Sequence, residues 1–431
     1  MQRALVLDRN KQPLMPCHSA RARELLTSGK VAVFKRFPFT IILKEREGGH
    51  RQSVSAKVDP GSKETGLVLV GDFKRGKRVI WASVIEHRGQ QIKNTLESRR
   101  ASRRGRRARH TRYRPARFDN RKRPNGWLPP SLMSRIENVW TWAVRLNRLC
   151  AITTISQELV KFDMQLMQNT EISGVEYQQG ELMGYEVREY LLEKWGRKCA
   201  YCGAKNTALE VEHITPKSRG GSNRISNLTL ACRTCNENKG AQTATEFGYP
   251  DIQKQAKRPL KDAATMNATR WALYTQLKNS GLPIEIGTGG RTKYNRLQQG
   301  YPKAHWIDAA CVGESGECVY LNPHGDYLHI RATGHGSRQI CRTDKFGFPS
   351  QHRLCQKRHF GFQTGDMVKA TVPSGKYAGI HVGRVACRAT GSFDITTPNG
   401  KITVNHKHCS VLHHADGYSY QTKGDRYFSA A

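Results

Sequence analysis

The residues best suited to chemistry lie between positions 199 and 240, where two Cys-x-x-Cys pairs enclose a polar segment. Cys199 and Cys202 form the first pair, and Cys232 and Cys235 form the second. Paired thiolates at this spacing suit one tetrahedral zinc ion. Because thiolates fill all four positions, no position remains for a water ligand. The sequence therefore predicts a structural zinc site that holds the long loop between the pairs.

The enclosed loop and the residue after it carry groups that could hydrolyse a phosphodiester. This reaction needs a base to activate water and a cation to stabilise the developing negative charge. His213 is the predicted base, and Glu212 and Asn236 are predicted to ligate one Mg²⁺. Asn227 is predicted to brace the loop. The alternative is a zinc knuckle without chemistry.

The order His213, Asn227 and Asn236, with Asn-Lys-Gly after the second cysteine pair, resembles the HNH nuclease family. The resemblance implies a ββα-metal module with one Mg²⁺ beside the zinc knuckles. Glu212 stands where the family often has Asp, which adds a methylene to the ligand.

Three further carboxylates are predicted to form a second site. Asp59 ends a predicted strand, Glu158 lies in another, and Asp308 follows His305 by three positions, which places them on one helix face. Taken singly, Asp59 suits a solvated turn and His305 suits a hydrogen-bonded residue near a helix start. Their order, on strand, strand and helix, resembles that of an RNase H-like nuclease, and this resemblance implies that they share one site. Clustered carboxylates repel unless cations neutralise them, so the site would hold two Mg²⁺ ions that bridge the scissile phosphate. His305 would assist proton transfer or position the water.

The charge of the chain predicts a polyanionic partner. The 431 residues carry 71 Lys plus Arg against 35 Asp plus Glu, a formal charge of +36. Twelve of the 26 residues from 98 to 123 are arginine, several at helical spacing. The alternative is a disordered basic segment. Eight arginines are predicted to bind the phosphates of this partner, and the family resemblance given below implies that they bind RNA: Arg99, Arg100, Arg103, Arg104, Arg106, Arg107, Arg109 and Arg112.

The remaining composition indicates a reduced compartment. The other eight of the 12 cysteines are scattered without a disulfide framework. No signal peptide and no apolar run of membrane length are evident. We therefore expect a monomeric protein of the prokaryotic cytoplasm, associated with the nucleoid and not with a membrane.

The combination of segments resembles the IscB family, transposon-encoded relatives of dual-nuclease type II CRISPR effectors. The resemblance rests on the sequence PLMP at residues 13–16, the arginine-rich segment, FDMQ at 162–165 after Glu158, and the HNH insertion before Asp308. It implies an RNA-guided DNA endonuclease with a noncoding guide RNA and a double-stranded DNA target that has a short flanking motif. The HNH site would cut the guide-paired strand, and a split RuvC site the displaced strand. The alternatives are an RNase H-fold transposase, a free-standing HNH nicking enzyme, or a non-catalytic RNA-binding accessory protein.

The expected fold is multidomain α+β, with a split RNase H-like (RuvC) core, an arginine-rich bridge helix, the HNH insert and a C-terminal antiparallel, barrel-like domain. In that last domain Asn399-Gly400 is a strong hairpin signal. The predicted units are an N-terminal PLMP domain (1–52), RuvC segment I (53–91), the bridge helix (92–126), RuvC segment II (127–167), a linker (168–185), the HNH module (186–250), RuvC segment III (251–320) and the C-terminal domain (321–431).

Overall fold

The computed structural model of the chain describes residues 2–108, 127–159, 188, 191–192, 194–205, 207–257, 263–335, 341–346, 348–352 and 358–424. Its helices are α1 (Ser19–Thr27), α2 (Gly89–Ala108), α3 (Pro130–Asn147), α4 (Arg233–Lys239), α5 (Asp251–Lys257), α6 (Ala263–Lys278), α7 (Gly289–Gln298) and α8 (His305–Ala310). Short 3₁₀ turns lie at Lys217–Arg219, Ile225–Asn227, Glu314–Gly316 and His406–His408.

The strands are short, mostly of four to six residues, and fall into several sheets. In chain order they are β1 (Ala4–Leu7), β2 (Pro13–Cys17), β3 (Val31–Lys35), β4 (Thr40–Leu43), β5 (Val54–Asp59), β6 (Glu64–Phe73), β7 (Gly76–Glu86), β8 (Thr154–Glu158), β9 (Leu209–His213), β10 (Leu228–Cys232), β11 (Ile284–Gly287), β12 (Val319–Tyr320), β13 (Tyr327–Ala332), β14 (Cys341–Thr343), β15 (Pro349–His352), β16 (Arg358–His359), β17 (Phe362–Gln363), β18 (Met367–Val372), β19 (Gly379–Ala386), β20 (Ser392–Thr397), β21 (Gly400–Asn405), β22 (Cys409–His413) and β23 (Tyr418–Lys423).

An eight-stranded sheet forms the centre of the described chain, in the order β11-β8-β5-β6-β7-β13-β23 with β12 beside β7. Strands β5, β6 and β7 pair antiparallel, whereas β8 runs parallel to β5 and β11 parallel to β8. The strand that was expected to end at Asp59 is thus confirmed. Since β5, β8 and β11 are parallel, their carboxyl ends meet at one edge of the sheet.

Both faces of this sheet are covered, as the near-continuous burial of β6 requires. Alternate residues of β6 point to opposite sides. Leu67 and Leu69 face a cluster that contains Trp142 of α3 and residues of α6, while Val68 and Val70 face a second cluster built on α8. Helices from distant parts of the chain are therefore packed against the strands that carry Asp59 and Glu158.

Three smaller units have buried clusters of their own, and β14 with β15 and β16 with β17 form two further two-stranded pairs. Residues 4–43 form a four-stranded sheet in the order β2-β1-β4-β3 with α1 and their own buried cluster. Strands β9 and β10 pair antiparallel beside α4, above a cluster of buried residues between positions 191 and 256. Strands β18 to β22 form a five-stranded antiparallel sheet with a separate core.

The C-terminal region differs from the expected single unit. Strands β13 and β23, which flank the five-stranded sheet in sequence, pair with each other and join β7 in the central sheet. The predicted hairpin of the five-stranded sheet is confirmed, but its register places Thr397 opposite Gly400, so residues 398–399 form the loop. Gly400 begins the next strand at φ 120°, which only glycine adopts readily.

No helix within the described parts of the chain combines the length and apolarity needed to cross a membrane.

Candidate functional site

The four cysteines of the paired motif converge at the base of the β9–β10 hairpin. Their sulfur atoms all lie within 4.8 Å of one another, and Cys202 Sγ is 3.7 Å from Cys232 Sγ. A tetrahedral zinc site with Zn–S bonds of about 2.3 Å has S···S edges of about 3.8 Å. Although burial opposes ionisation, backbone N–H donors around Cys199 lower the pKa of its thiol to about 7, whereas burial and the neighbouring sulfur atoms raise the pKa of Cys235. The cluster therefore fits one zinc ion.

His213 ends β9 at the opposite end of the hairpin from this cluster, because its register partner is Leu228 whereas Cys232 pairs with Leu209; the residue is half-buried. Its Nε2 lies 2.9 Å from Oδ1 of Asn223. Because an amide oxygen only accepts hydrogen bonds, Nε2 donates and Nδ1 is left as the proton-accepting atom. Asn223 was not anticipated from the sequence, since nothing local indicates that it turns back to the histidine.

Asn227 holds the loop that follows His213. Its Oδ1 accepts from the backbone N–H of Thr215 at 2.9 Å, and its Nδ2 donates to the carbonyls of Thr215 and Ser222 at 3.0 and 2.9 Å. The side chain is 8% exposed, so these bonds satisfy a buried amide. Asn227 braces the loop from both ends and thereby fixes the strand end that carries His213.

The polar side chains between β9 and α4 form two pairs. Lys239 Nζ donates to Glu212 Oε1 at 2.7 Å and to the carbonyl of His213 at 2.9 Å. Asn236 Nδ2 donates to Glu210 Oε2 at 2.7 Å. Glu212 and Asn236, the expected Mg²⁺ ligands, therefore each bond a different partner. Glu210 and Lys239 were not anticipated from the sequence as part of this site. The i, i+2 spacing of Glu210 and Glu212, which places both on one face of the strand, could have indicated Glu210.

Asp59 and Glu158 lie at the same edge of the central sheet. Strand β5 pairs in parallel with β8, and Val58 lies opposite Gln157. Asp59 and Glu158 are the next residues on the two strands, so they are neighbours. Asp59 is half-buried, and Glu158 is 7% exposed. The first residues of α7 approach as well, since a Cβ on Gly289 would lie 3.3 Å from Glu158 Oε1.

Helix α8 brings the third carboxylate to this edge. Gly66 is the register partner of Asp59, and a Cβ at Gly66 would lie 1.9 Å from the carbonyl oxygen of His305. Only glycine permits this approach. His305 is exposed, and its Nε2 lies 3.4 Å from Glu64 Oε2. Burial raises the pKa of Asp308, an effect that Arg296 opposes and the charge of Glu158 increases.

Two guanidinium groups neutralise two of these carboxylates. Arg270 donates to Glu158 Oε1 at 2.9 Å and to the carbonyl of Pro60, and Arg296 pairs with Asp308 at 2.7 Å. Carboxylate oxygens suit Mg²⁺. Within the described residues, however, the four-cysteine group is the one set of three or more His, Cys, Asp or Glu ligands within 4.8 Å. Asp59, Glu158 and Asp308 thus share one edge without so tight a cluster.

The arginine-rich segment forms α2 as far as residue 108. Within it Arg99, Arg100, Arg103, Arg104 and Arg107 are all exposed. The side chain of Arg106, and Arg109 and Arg112 entirely, lie outside the described residues. A helix with this many exposed cations and no apolar stripe presents a phosphate-matching surface.

Two family models match the chain. Residues 4–180 match the family described as RRXRR protein, and the sequence RRGRR at positions 103–107 lies within α2. Residues 199–242 match HNH endonuclease. No curated protein sequence matches the chain significantly.

Among solved structures, similarity is found to Cas9 proteins. The Cas9 of Streptococcus thermophilus in complex with the AGAA PAM is 11% identical over 60% of this chain and 32% of that chain, with a TM-score of 0.22. The type II-C Cas9 enzyme from Actinomyces naeslundii is 20% identical over 46% of this chain and 23% of that chain, with a TM-score of 0.16. The chain thus spans about a third or less of these proteins, and TM-scores this low carry no functional inference.

The family models and the site geometry agree where they overlap. The 199–242 match contains the four-cysteine cluster, His213, Asn227 and Asn236. The protein therefore carries an HNH endonuclease domain built around a four-cysteine cluster, which follows an RRXRR region in the same chain.

Proposed function

We propose that this protein is an RNA-guided DNA endonuclease of the IscB type, with an HNH site that cuts the guide-paired strand and a RuvC site that cuts the displaced strand. The observation that carries the proposal is the position of the HNH domain within the chain. It is inserted between β8, which bears Glu158, and α8, which bears Asp308. One chain therefore supplies two separate sets of residues suited to phosphodiester hydrolysis.

In the HNH site His213 would act as the base. Nδ1 accepts the proton of the attacking water while Asn223 holds the ring through Nε2. A Mg²⁺ ion, when bound, would stabilise the negative charge that develops on the phosphate. Glu212 and Asn236 remain the proposed ligands, and Glu210 joins them because it contacts Asn236 directly.

The central sheet is proposed to be the RNase H-like core of the RuvC site. Support comes from the adjacent parallel ends that carry Asp59 and Glu158, and from the packing of α8 against Gly66. Two Mg²⁺ ions would be held by Asp59, Glu158 and Asp308, and their binding requires Arg270 and Arg296 to release or share the carboxylates. His305 would position the water.

The guide RNA is proposed to lie along α2, and Watson–Crick pairing would then select the DNA target while the protein holds the duplex by backbone and shape. Support comes from the exposed arginines of α2 and the RRXRR match. A short flanking DNA motif would be recognised by the C-terminal sheets.

Strand-specific cleavage tests the proposal. RNA that co-purifies with the full chain is sequenced, and a duplex matching its variable segment is labelled separately on each strand. We expect His213→Ala to retain cleavage of the displaced strand only, and Asp59→Ala that of the guide-paired strand only. His50→Ala and Asp72→Ala, which change exposed residues away from both sites, should cut both strands. Absence of a discrete RNA, or loss of both cuts in folded Asp59→Ala protein, contradicts the proposal.

A nicking enzyme is the second candidate, and one observation favours it. Arg270 and Arg296 already neutralise Glu158 and Asp308, so the charges of these two carboxylates are balanced without a metal ion. In that case the wild-type protein cuts one strand, His213→Ala abolishes all cleavage, and Asp59→Ala leaves the product unchanged.

A further inference from the structure

A cavity of about 740 Å³ lies between the N-terminal sheet and the end of α3, remote from both sites described above. Its walls come from the β1–β2 turn, the end of β3, residue 51, and residues 145–152. Five of the side chains that line it are cationic, and among the described residues that line it none is acidic. These five cations are Lys11, Lys35, Arg51, Arg145 and Arg148.

Four of these cations form no salt bridge within the described part of the chain, although carboxylates lie near two of them, Asp8 near Arg51 and Asp416 near Lys35. Arg145 is held by Asp416 at 2.7 Å and by the hydroxyl of Tyr420. Lys11, Lys35, Arg51 and Arg148 form no salt bridge within 4.0 Å to any described residue. Burial and the charge of Arg145 both lower the pKa of Lys35, while Asp416 partly offsets them. Positive charge is thus concentrated here beyond what the surrounding protein neutralises, which favours an anionic ligand.

Buried hydrogen bonds hold the turn that carries Lys11 in one conformation. Lys11 has φ 61°, in the left-handed region that non-glycine residues seldom adopt. The buried carboxylate of Asp8 holds this turn by accepting from the backbone N–H groups of Asn10 at 2.9 Å, Gln12 at 2.8 Å and Gly48 at 3.1 Å. Such strain persists only where surrounding contacts over-determine the conformation.

The cavity also offers an aromatic face and two amides. Phe34 lines it and is 42% exposed, although it lies on a strand whose first residue, Val31, is buried. Cations beside an exposed ring suit single-stranded nucleic acid, in which phosphates meet the charges and a base stacks on the ring. Gln12 and Asn147 also line the cavity, and amides can both donate to and accept from a ribose 2′-hydroxyl.

We infer that this cavity binds a single-stranded segment of RNA, with phosphates on Lys11, Arg51 and Arg148 and one base on Phe34. The choice of RNA as the ligand rests on the proposed function, whereas the phosphate chemistry rests on the cavity itself. A guide bound here would contact the N-terminal sheet as well as α2. The N-terminal unit would then be part of the RNA-binding surface.

Salt-dependent binding tests the inference without any need for cleavage. The probe is a fluorescent dodecamer of uridine, and affinity is measured at several salt concentrations for the full chain. Each phosphate contact to a single strand contributes about −0.7 to the slope of log K against log salt. The triple variant Lys11→Gln, Arg51→Gln, Arg148→Gln should therefore flatten the slope by about two. A matched variant with Lys30, Lys44 and Lys74 changed to Gln, all exposed elsewhere, should change it by much less. Equal slopes for the two variants overturn the inference.

Photocrosslinking locates the base. With 4-thiouridine in the dodecamer, the crosslinked peptide should contain residue 34, and Phe34→Ala should lose that crosslink and bind about tenfold more weakly. A dodecamer of thymidine is the second arm, and if it shows the larger slope change in the triple variant, the RNA assignment is wrong. Crosslinks only outside residues 11–51 and 145–152 overturn the site. A cleavage-inactive protein that passes these tests leaves the inference intact while the proposed function fails.

Discussion

Lys239 should be a principal stabiliser of the HNH domain. Its side chain is 0% exposed, and its ammonium group bonds both Glu212 Oε1 and the carbonyl of His213. Replacement by Met keeps most of the apolar stem and the volume while it removes the charge. The variant Lys239→Met therefore leaves a largely buried carboxylate and a carbonyl group without their donor.

The expected cost follows from what remains buried. Removal of one partner from a buried ion pair costs about 3–5 kcal/mol, because the other charge is left uncompensated. The Glu212 side chain keeps 12% exposure, so water can reach it in part and the lower end applies. We expect the free energy of opening of the β9–β10 hairpin to fall by about 3 kcal/mol, which corresponds to roughly 150-fold faster amide exchange.

Hydrogen exchange of the full, zinc-loaded chain, followed by mass spectrometry, measures this locally. Peptides covering residues 209–232 should exchange faster in Lys239→Met, while peptides of the central sheet should not change. Lys254→Met is the matched control, because its side chain is 77% exposed in a surface pair with Asp251 and should cost less than about 1 kcal/mol. Adding Glu212→Gln to Lys239→Met should recover part of the loss, since it removes the unpaired charge. Exchange in Lys239→Met equal to that of the control would refute the reasoning.

Three further outcomes are expected. Cys199→Ser should lower the zinc content of the purified protein and the melting temperature of the HNH domain, and unchanged zinc content would contradict a four-thiolate site. Changing Arg99, Arg103, Arg106 and Arg107 of α2 to Ala should flatten the slope of log K against log salt for guide-RNA binding by roughly two to four. Equal slopes for the variant and the wild type would remove the proposed role of α2. Burial alone would raise the pKa of Asp416, but His413, with Nε2 at 3.6 Å, the hydrogen bond from Tyr420 and the charge of Arg145 bring it to about 2. This carboxylate therefore contributes stability above pH ~4 that is lost as the pH falls toward 2. In acid titrations of unfolding, Asp416→Asn should lower the free energy of unfolding by about 2 kcal/mol at pH 7 and by almost nothing near pH 2. A difference that does not vary with pH would refute this.

Local spacing alone was enough for several features of this protein. Each Cys-x-x-Cys pair brings its own two sulfur atoms together by local spacing, whereas the meeting of the two pairs, 30 positions apart, depends on the pairing of β9 with β10. The apolar runs in residues 53–88 specify strands, and the arginine periodicity specifies a helix, whose described arginine side chains are exposed. Such features depend on neighbours within a few residues, where backbone geometry decides the outcome.

Pairings between distant residues could not be obtained in this way. Arg270 meets Glu158 across 112 positions, and the Lys239 ammonium meets Glu212 across 27. The packing of α4 against β9 determines which carboxylate accepts the hydrogen bond from Asn236, and in the structure it is Glu210. Each of these choices is a competition among charges of similar strength, and packing decides it by fixing which groups lie within hydrogen-bond distance.

The division of the C-terminal region was likewise settled only by the tertiary structure. Strands β13 and β23 alternate polar and apolar residues much as their neighbours do, so the sequence assigns them to the same sheet. In the folded chain β13 pairs with the exposed edge of β7, and β23 then pairs with β13. An open sheet edge offers unpaired N–H and C=O groups to whichever strand reaches it. The sequence by itself therefore determined the local elements and the two cysteine pairs, whereas long-range packing decided the meeting of those pairs, the partners of the charged residues and the membership of the sheets.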